Sequence, residues 1–271
     1  MDVSLLATYS LIGVAAFAAG AMNSLAGGGT FLSFPALLAV GVPPVMANAS
    51  NSVALWPGSL AAAWAFRNEL MRFRKSLPLL TLVAFIGGAA GGLLLLATSN
   101  AAFSKLIPWL LLVATVLFAF SPQISRLVAR LQAPAGGNDG RSGDRSSGDR
   151  HIGPAGFVFQ LLVSIYGGFF GAGMGILMLS ALAIQGFDDV HEINALKNWL
   201  SAVIYSVAVL TFVIAGAVSW PHTLVMVVTG TLGGYGGGLF ARRISARSLR
   251  RFIVVLGSVL TLVYFYKTGL H

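Results

Sequence analysis

Apolar runs longer than the ~18 residues that mark a membrane span recur along this chain. In lipid every backbone N–H and C=O must be satisfied within the protein, so runs of this length must be helical. The rest of the composition agrees. Only 9% of the 271 residues are charged and 56% are hydrophobic, whereas a soluble domain carries about 25% charged residues. Too little polar surface exists to coat a water-soluble globule. Asp2 is the one charge before the first apolar run. A secretory signal needs a basic start, so this run is read as part of the membrane domain. Cysteine is absent, which excludes disulfides, thiol nucleophiles and Cys-ligated metals.

The apolar segments lie near 5–25, 29–40, 45–66, 77–97, 104–121, 154–172, 175–185, 190–215, 222–241 and 249–266. Between the fifth and sixth, residues 133–153 are rich in Gly, Ser, Asp and Arg and cannot bury a core. The expected organisation is a first membrane repeat (1–121), a flexible linker (122–153) and a second membrane repeat (154–271). The two halves align at an offset of 146 residues. Gly87, Gly88, Gly91, Gly92 and Leu93 fall on Gly233, Gly234, Gly237, Gly238 and Leu239. Ala26, Gly27 and Gly29 fall on Ala172, Gly173 and Gly175, and Asn48-Ala49 falls on Asn194-Ala195.

Charge distribution gives the repeat a direction. The net charge is +9, and fourteen of the 17 Lys and Arg lie in the stretches 67–75, 126–150 and 242–251. Basic loops mark the cytoplasmic side, which accounts for the charge better than nucleic-acid binding does. The loop after the third segment is basic and its successor near 98–104 lacks basic residues. In the second half the order is reversed: 216–221 is uncharged and 242–251 is basic. Equivalent loops therefore face opposite sides, the signature of an inverted-topology repeat. The expected fold is an all-α polytopic membrane protein. It has two inverted repeats of about five helical elements each, ten in all, with both termini outside and the linker cytoplasmic. The first pair in each half is broken at a glycine cluster and includes a short or re-entrant helix. Hydropathy alone, merging the short helices with their neighbours, gives eight.

The two breaks, Asn23 to Thr30 and Gly167 to Gly175, free backbone groups that must face protein or a watery cavity. A helix restarting after a break favours an anion at its positive N-terminus. The competing role of these glycines is close packing of helices, which is the better reading for Gly87–Gly92 and Gly233–Gly238. Polar residues follow each break: Asn48, Ser50, Asn51 and Ser52 in the first half, Asn194, Lys197 and Asn198 in the second. Intramembrane polar groups of this kind face a cavity or one another. Lys197 lies about two turns into its helix and needs a counter-charge. A transported anion supplies one; snorkelling to the headgroups, or pairing with Glu192 or Asp188, is the alternative. His191 and Glu192, near the inner mouth, are candidates for a proton relay, or are simply solvated. Glu69 is expected to form a surface ion pair with neighbouring arginines, and the five tryptophans to include interface anchors. No metalloprotease, nucleophile-elbow or phosphate-loop motif occurs, no pair of carboxylates lies within a span, and no cofactor or metal is called for.

The run Asn23-Ser24-Leu25-Ala26-Gly27-Gly28-Gly29 with Pro35, then Ala47-Asn48-Ala49-Ser50-Asn51-Ser52 through Trp56-Pro57-Gly58-Ser59, resembles the TauE/SafE sulfite exporter family. So do Gly171-Ala172-Gly173-Met174-Gly175 and Asn194-Ala195-Leu196-Lys197-Asn198. Ser50 stands where the family often has Thr. The resemblance implies a multi-pass transporter of the bacterial cytoplasmic membrane for sulfite or an organosulfonate such as sulfoacetate. It would act as a secondary carrier coupled to an ion such as H+, not as an enzyme. The residues expected to hold the anion are Asn23, Gly27, Gly28, Gly29, Asn48, Ser50, Asn51, Gly173, Gly175, Asn194, Lys197 and Asn198. An anion channel, or a membrane scaffold without transport, are the alternatives.

Overall fold

A computed structural model describes residues 3–25, 28–73, 76–132, 154–185, 190–240 and 246–269. The described residues form helices and no strand. In order these are α1 (Val3–Leu25), α2 (Thr30–Ala39), α3 (Pro44–Ala65), α4 (Arg67–Leu70), a 3-10 turn (Met71–Phe73), α5 (Leu77–Ala97) and α6 (Asn100–Gln132). The second half holds α7 (Pro154–Phe169), α8 (Met174–Ile184), α9 (Val190–Ile214), α10 (Trp220–Phe240) and α11 (Ala246–Gly269). Ten of these elements match the ten expected segments. The addition is α4, in the basic loop, where Leu70 and Phe73 are buried and pull the loop into the core. One boundary differs as well. Helix α6 runs on to Gln132, so 122–132 continue a helix instead of starting the linker. The low-complexity stretch 133–153 lies outside the described residues.

Among the described residues, five helices are long and apolar enough to cross a membrane: Leu5–Asn23, Leu77–Ala97, Asn100–Gln123, Ile193–Ile214 and Ser248–Gly269. Helix α3 has 22 residues but carries the Asn-Ser-Asn-Ser motif at its centre. Helices α2 and α8, of 10 and 11 residues, are only about 15 Å long at 1.5 Å per residue, half a bilayer core. Helix ends are written in the sequence. At Gly41 (φ 87°) and Gly216 (φ 66°) the chain enters the left-handed region. There Val42 N–H donates to Leu37 O and Ala217 N–H to Phe212 O, closing the ends of α2 and α9.

Packing exchanges the halves. Helix α1 lies along α10, and α5 along α7. Small residues make both contacts close. A methyl group at Gly233 would collide with Phe17 O, one at Gly20 with Gly230 O, and one at Gly91 with Ile165 O. Gly87, Gly91 and Gly233 therefore serve packing, as their spacing suggests. Helices α3 and α9 cross at the centre, and α6 pairs with α11. One core cluster gathers Phe31, Phe34, Phe103, Phe118, Phe170 and Phe212; a second gathers Leu70, Phe73, Met178, Leu182 and Leu200.

The tryptophans divide into two groups. Trp64, Trp109 and Trp220 are exposed, as interface anchors must be. Trp56 and Trp199 are instead half-buried helix ties: Trp56 Nε1 donates to Ser206 Oγ and Trp199 Nε1 to Thr81 Oγ1, both at 2.8 Å. The ion pair expected of Glu69 turns partly on Arg72 and Arg74, whose side chains lie outside the described residues. Glu69 forms no ion pair among the described residues, and its Oε2 is buried without a hydrogen-bond partner. Arg67 lies over the Trp64 ring at 4.7 Å and donates to Trp64 O.

Candidate functional site

The two breaks differ in what packs over their glycines. At the first, a methyl group at Gly29 would run into Ala19 O, and one at Gly28 (φ 148°) would stand 3.1 Å from both Phe118 and Ile253. This end of α2 is sealed by protein. Asn51, buried on α3, accepts from Ser33 Oγ and donates to Thr30 Oγ1 at 3.5 Å, so its amide is spent on the first turn of α2. Asn23 is exposed at the end of α1, and Gly27 lies outside the described residues.

The second break leaves N–H groups without an acceptor, as the first does at Gly28, Gly29 and Thr30 among the described residues. Gly171 (φ 77°) and Gly173 (φ 74°) turn the chain from α7 into α8. Met174 N–H is accepted by Gly171 O, and the N–H groups of Ile176 and Leu177 by Gly173 O. The N–H groups of Ala172, Gly173 and Gly175 have no backbone acceptor among the described residues. These are the orphan donors of a helix start, at the positive end of α8.

Lys197 lies at this same point. A methyl group at Gly175 would be 3.9 Å from Lys197 Cδ, so the lysine stem runs along the first turn of α8. No carboxylate pairs with it among the described residues; the Asp188 and Glu192 side chains, with that of His191, lie outside them. The offset of 146 residues places Lys197 on Asn51. The first half thus holds a neutral amide satisfied by its own α2, while the second holds a cation beside unpaired N–H groups. Asn194 and Asn198 sit half-buried on α9 near Lys197. No hydrogen bond ties either to another described residue.

Two further residues named from the sequence meet other elements. Ser50 is buried on α3, and its Oγ accepts from the N–H of Ser219, 2.9 Å away at the start of α10. Ser219 Oγ in turn lies 2.7 Å from His222 Nδ1. Asn48 is fully buried, and its Nδ2 donates to Phe169 O at 2.8 Å, joining α3 to the end of α7.

Sequence reasoning missed Tyr166 and Tyr205. Tyr166 Oη donates to Ala172 O at 2.6 Å and braces the break. Tyr205 Oη stands 2.9 Å from where a Cβ on Gly171 would be. Their positions one turn before the break and two turns beyond Lys197 were the only signal available. Lys197, Tyr166, Tyr205 and the N–H groups without an acceptor thus gather around one niche, the second break.

The comparisons agree with a transport role. The family model described as "Sulfite exporter TauE/SafE" matches residues 12–264. A "Probable membrane transporter protein" of Haemophilus influenzae is 27% identical, the match covering 99% of this chain and 98% of that one. "Probable membrane transporter protein ORF9" of a Sinorhizobium species is 27% identical, over 92% of this chain and 89% of its own. "Probable membrane transporter protein YfcA" of Escherichia coli K12 is 26% identical, over 95% and 91%. No solved structure matches the chain. A helical, multi-pass chain matched from its first helix to its last by one family model belongs to that family, the TauE/SafE sulfite exporters, and is a membrane transporter.

Proposed function

We propose that the protein is a secondary transporter of small oxyanions, sulfite or an organosulfonate such as sulfoacetate, exporting them by alternating access across a bacterial cytoplasmic membrane. The observation that carries this reading is Lys197 lying along Gly175 at the start of α8, beside the unpaired N–H groups of Ala172, Gly173 and Gly175. An ammonium and a positive helix end together stabilise an oxyanion that neither would hold alone. A tetrahedral or pyramidal oxyanion offers several acceptor oxygens to such converging donors.

The reversed charge order of equivalent loops and the exchanged packing of α1 on α10 and α5 on α7 support two inverted repeats. Sites between such repeats, at interrupted helices, are the rule in carriers of this architecture. The basic loops and the linker 133–153 are then cytoplasmic. Transport works by rocking the two bundles so that the niche meets each side in turn.

The test is flux. Purified protein in proteoliposomes should take up or release radiolabelled sulfite with saturation and counter-exchange. Lys197→Ala should lose that flux while still reconstituting. Unchanged sulfite affinity and rate in Lys197→Ala would remove the lysine from the site. Non-saturating conductance would make the protein a channel.

A further inference from the structure

The break that offers donors to an anion on its α8 side offers only acceptors on its α7 side. Among the described residues, the backbone carbonyls of Gly167, Gly168 and Phe170 receive no hydrogen bond after the chain leaves α7, because Phe170 and Gly171 both donate to Tyr166 O. These are the orphan carbonyls at the negative end of a helix. Into this end projects Asn48. Its Nδ2 is committed to Phe169 O, which fixes the orientation of the amide, since the flipped form would set oxygen against oxygen. Its Oδ1 is buried with no partner, and the residue as a whole is fully enclosed. A buried amide oxygen without a donor is costly, and the helix end to which Asn48 is tied through Phe169 O carries carbonyls in the same condition.

We propose that Asn48 Oδ1 and the terminal carbonyls of α7 form a binding site for a dehydrated monovalent cation, Na+, next to the oxyanion site. The inference rests on the oxyanion reading for its purpose, since the cation would be the coupling ion, but not for its geometry. Three considerations select the ion. Amide and carbonyl oxygens do not take up a proton near neutral pH, so H+ is not held here. Divalent cations favour carboxylate ligands, and the oxygens of Asn48 and of the α7 carbonyls are neutral. Neutral oxygens at a broken helix's C-terminal end are the donor set that Na+ uses in carriers with interrupted helices. The cation would also neutralise the bound anion across one glycine turn, with the two helix ends oriented to favour one charge each.

The experiment is thermal denaturation of the purified protein in detergent, without added oxyanion, at constant ionic strength in NaCl, KCl or choline chloride. The expected result is a saturable rise in Tm with Na+ that choline does not give, lost in Asn48→Ala. Asn48→Asp keeps an oxygen at the same place, adds charge, and sets its second oxygen against Phe169 O, which a bound cation would relieve. It should fold best in Na+ and show a larger Na+-dependent rise than the parent. Equal Tm in all three salts overturns the proposal, and so does an undiminished Na+ response in Asn48→Ala. Should Asn48→Ala fail to fold, the salt response of the parent and of Asn48→Asp decides. A parallel titration with sulfite separates the two readings. A sulfite-dependent rise without a Na+ response removes the cation site and leaves the anion site. The reverse removes the anion site alone. A sulfite response that grows as pH falls, with none to Na+, would mean that Asn48 Oδ1 accepts from the hydroxyl of a protonated anion, and overturns the proposal.

Discussion

The N–H of Ser219 donates to Ser50 Oγ at 2.9 Å, tying the start of α10 to the buried centre of α3 across 169 residues of sequence. The serine whose spacing nominated it for the anion is thereby occupied by a backbone donor. Ser50→Ala should therefore cost stability, about 1–3 kcal/mol for an unmet buried donor, and leave sulfite affinity within about twofold. Denaturation and a binding isotherm on the same sample check both halves of this expectation.

Lys197→Asn converts the second break to the polarity of the first, where Asn51 occupies the equivalent position. Removing a charge-assisted contact worth about 1.5–3 kcal/mol should weaken oxyanion binding about 10- to 100-fold. Stability without ligand should hold or rise, since an ammonium with no carboxylate partner among the described residues leaves a membrane helix. A ligand-induced shift in Tm that survives the substitution would count against the site.

Glycines of two helices, α5 and α3, should respond in opposite directions. A methyl group at Gly91 would overlap Ile165 O on α7, and overpacking against backbone costs about 1–3 kcal/mol or more. Gly58, in α3, has nothing within 4 Å of the added carbon. Gly58→Ala should therefore stabilise by about 0.5–1 kcal/mol through helix propensity. Matched unfolding curves of the two variants in one detergent provide the comparison.

The turn at Gly171 carries two separable costs. Alanine there must adopt φ near 77°, a strain of about 1–2 kcal/mol, and its Cβ would crowd Tyr205 Oη. Tyr205→Phe removes the second cost and leaves the first. The double variant should therefore recover part of the Tm lost in Gly171→Ala. Full additivity of the two single effects would show that the hydroxyl does not press on the turn.

Most helices were legible because their boundaries rest on local chemistry: apolar run length, proline at the first turn of α3 and α5, glycine at the ends of α2 and α9. The breaks were legible for the same reason. What stayed hidden depends on which helix faces which. Nothing in the spacing of Trp56 and Trp199 tells that their indoles bond across helices while Trp64 and Trp109 stay outside. Ser219 lies in the uncharged loop 216–221 and His222 in the first turn of α10, and loop charge says nothing of what they bond to. Asn48 and Asn51 are three residues apart on one face, yet one reaches the far half and the other its own α2. That division follows from the exchanged packing, which hydropathy does not encode. The extension of α6 to Gln132 was missed because its last turns are amphipathic, and a search for apolar runs ends where the charges begin.

That exchanged packing bears on how the molecule is made. Helix α1 is synthesised long before α10, against which it lies, and at ordinary translation rates the wait is about 10–40 s. Through that interval its glycine-lined face, including Gly20, is open to lipid and to other nascent chains. The finished first half cannot mature alone, because its α5 too awaits α7. A chain cut within 133–153 should therefore leave two fragments that are each degraded when expressed singly and that rescue one another when expressed together.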